Sequence, residues 1–301
     1  MGESCELLPG CRYFSARCML RDKTVEYCRC TSRLNPFSKM SKEKILVVES
    51  FNGLANRLRV IDSALCLSRI LNAELKIIWP LGDGLLSKFD ELFIVPKSLF
   101  TISYYNPSSL FHGLQRKFTL KVFFNVLSLD SVINHDMLYD DKFSRSYLRT
   151  CERIGDLSDS YSWLVPNDTV EYRISENYNG VNLADLCGVH IRRSDNKKSS
   201  EISTTEIFID KIRMELLNSP ERKFLLCSDD YDEIVELKSI FGDRIICKPD
   251  INRNRYSHDG VLDAAADFIA LSRTKLILGS YWSSFGIEAA KVGAIKFYAT
   301  Q

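Results

Sequence analysis

The chain of 301 residues has no apolar run long enough to cross a bilayer and no excess of charge of one sign. Its longest apolar stretches, such as Lys275 to Ile287, are interrupted by Gly, Ser and Trp, whereas a spanning helix needs about 20 apolar residues in a row. Residues Met1 to Arg21 lack the basic and apolar regions of a secretory signal. The 40 basic and 39 acidic residues nearly cancel, so no overall field favours nucleic acid or a membrane surface. These absences predict a cytoplasmic protein with no transmembrane segment and no nucleic-acid partner.

Cysteine is concentrated at the N-terminus. Without a secretory signal a disulfide framework is not expected. Four or five thiolates in a short tract could hold zinc or an iron–sulfur cluster, but their spacing matches neither a zinc ribbon nor a ferredoxin run. A metal site and a small reduced segment of unknown role therefore both stay open. The cysteines concerned are Cys5, Cys11, Cys18, Cys28 and Cys30.

The remaining chain divides into two parts that follow this Cys-rich head and linker, residues 1–40. Residues 41–183 open with an apolar strand, a tight turn, an amphipathic helix and a second strand that ends at Pro80. This unit predicts a first Rossmann-like domain, although the pattern leaves most of its later elements unordered. Residues 184–301 alternate regularly between apolar strands and helices, which favours a parallel sheet and a second Rossmann-like domain. The fold class expected is therefore α/β.

Two adjacent arginines follow the first strand of the second part. Arg192 and Arg193 come directly after Leu186–Ile191, and Asp195 follows two residues later. Paired guanidinium groups are suited to bidentate contact with a diphosphate. Ligands of open α/β sheets lie outside the carboxyl ends of the strands. The run therefore indicates an anion site, and the alternative is a surface turn with a local salt bridge.

Three more polar clusters follow in the same alternation. Asp229 and Asp230 end the next strand, Asp267 lies on a helix that leads into a strand, and Ser283 and Ser284 open a helix. Free N–H groups at a helix N-terminus bind phosphate. Each cluster also has a structural interpretation as a helix cap or a capped turn. Their occurrence together at strand ends of one sheet favours a ligand site.

The four polar clusters resemble sequence blocks of a known enzyme superfamily. The blocks Val189–Asp195, Leu226–Asp230, Asp267–Ser272 and Gly279–Phe285 resemble the nucleotide-site blocks of the GDP-fucose-dependent fucosyltransferase superfamily, which includes α1,6-, α1,2-, protein-O- and nodulation fucosyltransferases. The turn Gly53–Arg57 is similar to the N-terminal glycine–asparagine turn of that superfamily. The resemblance implies two Rossmann-like domains facing across a cleft, the GT-B-type architecture. It also implies an inverting transfer of fucose from GDP-fucose to a glycan or another hydroxyl acceptor.

The resemblance further implies roles for single residues. Arg193 would hold the β-phosphate of GDP, and Arg192 and Asp195 would order the loop and the guanine or ribose side. No cofactor is implied for catalysis, because the arginines and a helix terminus would already neutralise the diphosphate. The other donor-binding residues that it implies are Asp229, Asp230, Asp267, Ser283, Ser284, Gly53, Asn56 and Arg57.

A general base is expected near the arginine block. Acceptor attack needs a proton acceptor within hydrogen-bond reach, and residues 196–206 hold two carboxylates, Glu201 and Glu206. Glu206 is expected in the first turn of a helix, where the dipole explains it, so Glu201 is the candidate. The alternative for Glu201 is a solvated carboxylate. His190, inside the strand, is interpreted as structural.

Three other functions remain open from the residues. The chain could use another nucleotide sugar, or bind nucleotide sugar or glycan without catalysis, or be a metal- or redox-regulated protein through its cysteine head. The acceptor itself is not predicted.

Overall fold

The computed structural model describes residues 44–82, 84–106, 125–128, 144–194, 197–248 and 252–301. All described residues belong to one compact unit. The Cys-rich segment with its five cysteines and the candidate Asp195 lie outside the described residues. Among the helices described, none is both long and apolar enough to cross a membrane.

The described residues alternate between strands and helices. The strands are β1 (Lys44–Ser50), β2 (Ala73–Pro80), β3 (Thr101–Tyr105), β4 (Asn125–Leu127), β5 (Arg145–Thr150), β6 (Cys187–Ile191), β7 (Phe224–Ser228), β8 (Ile245–Ile246), β9 (Leu276–Ser280) and β10 (Lys296–Thr300). The α-helices are α1 (Leu54–Leu71), α2 (Asp168–Asn177), α3 (Lys197–Ile202), α4 (Thr205–Asn218), α5 (Tyr231–Phe241), α6 (His258–Ser272) and α7 (Ser284–Val292).

The first sheet has the strand order β3-β2-β1-β5-β4, and its strand pairs are parallel. Leu46 and Val48 of β1 are fully buried, and they share one apolar core with Leu58 and Ile61 of α1. This core confirms the predicted strand, turn, helix and strand. The strand order reverses at β1, so the carboxyl ends of β1 and β5 form the switch point, where α/β sheets bind ligands.

The second sheet has the strand order β10-β9-β6-β7-β8 and is also parallel. Two parallel sheets confirm the predicted α/β fold class. The predicted alternation of strands and helices in residues 184–301 is confirmed, with two differences. Residues 192–205, expected to form a loop, contain α3, and β8 is only two residues long. The switch point of this sheet lies between β6 and β9.

A buried polar network connects α1 with α7. The guanidinium of Arg153 donates to the carboxylate of Asp62 on α1 at 2.6 Å and to that of Glu288 on α7 at 2.7 Å. The hydroxyl of Tyr161 also donates to Glu288. Helix α1 follows β1 and helix α7 follows β9, which are strands at the switch points of the first and second sheets. The network therefore links the two sheets near their switch points.

Candidate nucleotide-binding site

The carboxyl ends of β6 and β9 bring two of the predicted clusters together. The two strands are in register, with His190 opposite Gly279. Just beyond this pair, the backbone N–H of Arg192 donates to the hydroxyl of Ser280 at 3.0 Å. The two arginines that follow β6, Arg192 and Arg193, therefore lie beside the loop Tyr281–Ser283 that follows β9, as the sequence predicted.

Asp229 organises the arginine block. Its carboxylate forms an ion pair with Arg192 at 2.8 Å, accepts from the backbone N–H of Arg193 at 2.8 Å, and accepts from the Ser194 hydroxyl at 2.6 Å. Burial alone would raise the pKa of this carboxyl, but the Arg192 charge and the donors of Ser194 and Arg193 outweigh burial and hold the pKa below its usual range. Asp229 is thus a charged residue that shapes the loop.

Arg193 points into the protein. Its Nη1 donates to the carbonyl oxygen of Ser203 at 2.7 Å, its Nη2 lies 3.3 Å from the Thr205 hydroxyl, and its Nε donates to the carboxylate of Glu233. Only 12% of the side chain is exposed, against 26% for Arg192. All three guanidinium nitrogens therefore have acceptors within the chain. The phosphate role of Arg193 stays a prediction, and this geometry favours Arg192 for that role.

Ser203 joins three parts of the site, and sequence reasoning missed it. Its hydroxyl accepts from the backbone N–H of Tyr281 at 2.8 Å and donates to the carbonyl oxygen of Thr300 at 2.5 Å. Its own carbonyl accepts from Arg193. A single serine between two helices carries no sequence signal for such a role.

The first turn of α7 is suited to an anion. Ser283 occupies the N-cap position, but its side chain makes no capping hydrogen bond, and the first turn holds no acidic residue. The first N–H groups of a helix have no intrahelical acceptor, and together with the dipole they attract phosphate. Ser284 is the first residue of the helix. The capping interpretation therefore does not account for these serines.

Asp230, in contrast, is a helix cap. Its carboxylate accepts from the backbone N–H groups of Asp232 at 2.8 Å and Glu233 at 3.4 Å, at the start of α5. This is the structural interpretation that the sequence left open. Within the described residues, no group of three or more His, Cys, Asp or Glu side chains is placed to hold a metal ion.

Asp267 belongs to a separate buried group beside β7. The hydroxyl of Tyr178 donates to its carboxylate at 2.6 Å and lies 4.0 Å from the thiol sulfur of Cys227. Burial raises the pKa of Asp267 to about 7. Arg253, which sequence reasoning missed, donates to the carbonyl oxygen of Ser228 at 2.9 Å at the end of β7. A nucleotide contact of Asp267 stays a prediction.

His190 is a core residue. Its ring stacks on Phe285 with centroids 4.9 Å apart, and burial lowers its pKa to about 4. Among the described residues no partner reaches its Nδ1. A neutral imidazole in this packing agrees with the structural interpretation.

Glu201 lies on α3 and is exposed. Its neighbour Ser200 donates to the carbonyl oxygen of Arg193 at 3.2 Å, so α3 is attached to the arginine block. Glu206 is in the first turn of α4, as expected. The structure thus keeps Glu201 beside the site, and its role as a base stays a prediction.

The glycine turn of the first sheet is built on Arg57. This arginine is fully buried, donates to the carbonyl oxygens of Asn52 at 2.7 Å and Pro80 at 2.6 Å, and lies 4.8 Å from the centre of the Trp79 ring. Gly53 is the N-cap of α1, and Asn56 is in its first turn. Arg57 therefore fixes the turn, and the donor contacts implied for these residues stay a prediction.

A second charged cluster lies at the first switch point and was not predicted. The buried carboxylate of Glu49 accepts from the hydroxyls of Tyr105 at 2.7 Å and Tyr147 at 2.5 Å, and from Nε of Arg149 at 2.9 Å. The guanidinium of Arg149 lies 3.9 Å from the centre of the Phe51 ring. The only signal for this cluster was an acidic residue at the end of an apolar strand.

No protein-family model matches the chain, and no curated protein matches it. Solved structures do share the fold. FUT1 from Arabidopsis thaliana, a mutant in complex with GDP, has a TM-score of 0.58 and 16% identity, over 87% of this chain and 71% of that one. The fucosyltransferase NodZ from Bradyrhizobium has a TM-score of 0.56 and 15% identity, over 83% of this chain and 92% of that one.

POFUT1 in complex with GDP is a third similar structure, with a TM-score of 0.54 and 10% identity over 86% of this chain and 99% of that one. At these identities the likeness establishes the fold. It is the fold that the resemblance of the strand-end blocks predicted.

Proposed function

We propose that this protein is a glycosyltransferase that moves fucose from GDP-fucose to a hydroxyl of a carbohydrate acceptor. The observation that carries the proposal lies at the carboxyl ends of β6 and β9. There Arg192 lies beside the N-terminus of α7, where the N-cap residue Ser283 makes no capping hydrogen bond with its side chain. Structures with the same fold hold GDP, which supports a guanine nucleotide here.

Arg192 and the first turn of α7 would bind the diphosphate. During transfer the bond between C1 of fucose and the β-phosphate oxygen breaks, and negative charge builds on the departing GDP. Donors that are already in place stabilise this charge without reorganising. Asp229, Ser203 and Arg193 are positioning residues in this scheme, because their hydrogen bonds order the arginine block.

The acceptor would approach from the first sheet. Its hydroxyl oxygen forms the new bond to C1 on the face opposite the leaving group, which inverts the configuration. The released proton goes to Glu201, the nearer to Arg193 of the two carboxylates in residues 196–206. The proposal includes a division into an acceptor domain, 41–183, and a nucleotide domain, 184–301, across a cleft. It also includes a cytoplasmic location.

Binding and turnover separate this function from its rivals. Calorimetry with GDP-, UDP- and dTDP-sugars should give the tightest binding for GDP-fucose, and purified protein should release GDP from it in the presence of acceptor glycans. Preference for another nucleotide would replace the donor assignment. If GDP-fucose binds but GDP is not released with any acceptor, the protein is a nucleotide-sugar-binding protein. If no nucleotide binds, the proposal is overturned.

A further inference from the structure

Trp282 is the exposed tryptophan of this chain and lies at the proposed donor site. It stands between β9 and the N-cap Ser283, and 58% of its surface is accessible. The other two tryptophans, Trp79 and Trp163, are 0% and 4% exposed. The Trp282 ring stacks with that of Tyr281, with centroids 6.0 Å apart, and still leaves more than half of its surface accessible beside the proposed donor site.

The backbone of Trp282 adds a second observation. Its φ is +60°, a left-handed conformation in which a bulky side chain is an outlier and glycine is comfortable. Strained residues of this kind cluster at ligand sites, because surrounding structure holds them in place. Glycine would adopt this φ without strain, so the strain at Trp282 has to be offset by what surrounds its backbone or by what its ring contacts.

The ring already binds a positively charged group. The ammonium nitrogen of Lys198 on α3 lies 3.4 Å from the ring centre. Aromatic faces attract positive charge through their quadrupole. The C–H groups on one face of a pyranose ring carry partial positive charge and are attracted in the same way.

We propose that Trp282 is the surface on which the sugar of the nucleotide sugar stacks, which makes it a specificity residue for the glycosyl group. This inference rests on the proposed function, because it places the diphosphate at the first turn of α7. The sugar is bonded to the β-phosphate, and Trp282 is the residue that directly precedes the N-cap of α7. The class of ligand is a nucleoside diphosphate hexose, with 6-deoxyhexose as the candidate.

Acrylamide quenching of tryptophan fluorescence tests this placement in the full-length protein. Because Trp79 and Trp163 are buried, quenching reports Trp282. GDP-fucose should protect the fluorescence more than GDP at saturating concentrations of each. Equal protection by the two ligands would overturn the stacking proposal while leaving GDP binding, and with it the proposed function, intact.

Two variants and a control complete the test. Trp282→Gly should weaken binding of GDP-fucose by about three- to tenfold, leave GDP binding unchanged, and keep or raise Tm because glycine adopts this φ without strain. Trp282→Phe should retain most of the preference for GDP-fucose over GDP. Tyr172→Ala removes another exposed aromatic ring, on α2, and should change neither affinity.

A purely structural tryptophan gives a different result. Trp282→Gly would then lower Tm and weaken GDP and GDP-fucose by the same factor, which overturns the inference. Failure of the wild-type protein to bind any nucleotide overturns the inference together with the proposed function.

Discussion

Asp229 and Arg192 form an ion pair of 2.8 Å across the ends of two neighbouring strands, β7 and β6. The same carboxylate accepts from the backbone N–H of Arg193, so one residue orients one arginine side chain and the backbone of the next. The two adjacent arginines thereby acquire different environments: Arg192 pairs with Asp229, and Arg193 pairs with Glu233.

Arg192→Ala should weaken GDP binding by roughly 1.5–3 kcal/mol, the range for a charge-assisted hydrogen bond, and should cost less stability than Arg193→Ala because Asp229 keeps the donors of Arg193 and Ser194. Arg193→Ala should instead lower the free energy of unfolding by about 3–5 kcal/mol, because it removes the positive charge beside the buried carboxylate of Glu233 and leaves it only the hydroxyl of Thr205. Calorimetry with GDP and urea denaturation measure the two effects. Arg192→Lys is the matched control and should rescue poorly, since a point charge does not replace the fork.

The opposite pattern would return the phosphate role to Arg193. If Arg193→Ala folds like the wild type but no longer binds GDP, its internal hydrogen bonds are exchanged for ligand contacts in the complex.

Asp267→Asn should change how stability depends on pH. The pKa of Asp267 is about 7 in the folded protein and about 3.9 in an unfolded chain. The folded state therefore retains a proton that the unfolded state releases, so the stabilising effect is complete below about pH 4 and is lost as the pH rises through 7. Relative to the wild type, the variant should gain roughly 2–4 kcal/mol between pH 4 and pH 8.

Urea denaturation at a series of pH values measures this gain. Asp210→Asn, at an exposed position on α4, serves as the control and should give no such trend. A flat difference between Asp267→Asn and the wild type would mean that Asp267 is ionised in the folded protein. Loss of GDP affinity in the same variant would support the nucleotide contact predicted for Asp267.

Glu201→Gln should lower the rate of sugar transfer by a factor of about 10² or more, because an amide does not accept the acceptor proton. Affinity for GDP-fucose should stay close to that of the wild type, since the variant keeps the size and polarity of the side chain. Glu206→Gln on α4 is the control for loss of a carboxylate nearby. Normal transfer by Glu201→Gln would identify Glu201 as a solvated surface residue.

Chelation of divalent cations should leave GDP binding and transfer unchanged. The two adjacent carboxylates that resemble a metal-holding pair are both engaged, since Asp229 pairs with Arg192 and Asp230 caps α5. Activity assays with EDTA, followed by addition of manganese or magnesium, test this expectation. Activity that disappears with EDTA and returns with the metal would refute it.

The sequence predicted those parts of the fold whose strands and helices carry a clear local pattern of apolar and polar residues. The strands and helices of residues 184–301 were predictable because hydrophobic periodicity is local and each strand ends in polar residues. Residues 81–183 gave no comparable pattern: β3 contains no fully buried residue, and β5 is interrupted by Arg145 and Arg149, so neither strand forms a continuous apolar run. The cluster around Glu49 was missed for the same reason.

The sequence by itself determined that Arg192, Asp229 and Ser283 lie at one edge of a parallel sheet, because strand ends in such a sheet meet on one side. Only the tertiary structure decided which arginine turns inward. The acceptors that hold Arg193 are Ser203, Thr205 and Glu233, which lie 10 to 40 residues further along the chain. A buried guanidinium needs hydrogen-bond acceptors for its N–H groups. The acceptors of Arg193 lie on elements that only folding brings together, so the sequence could not show which arginine is buried.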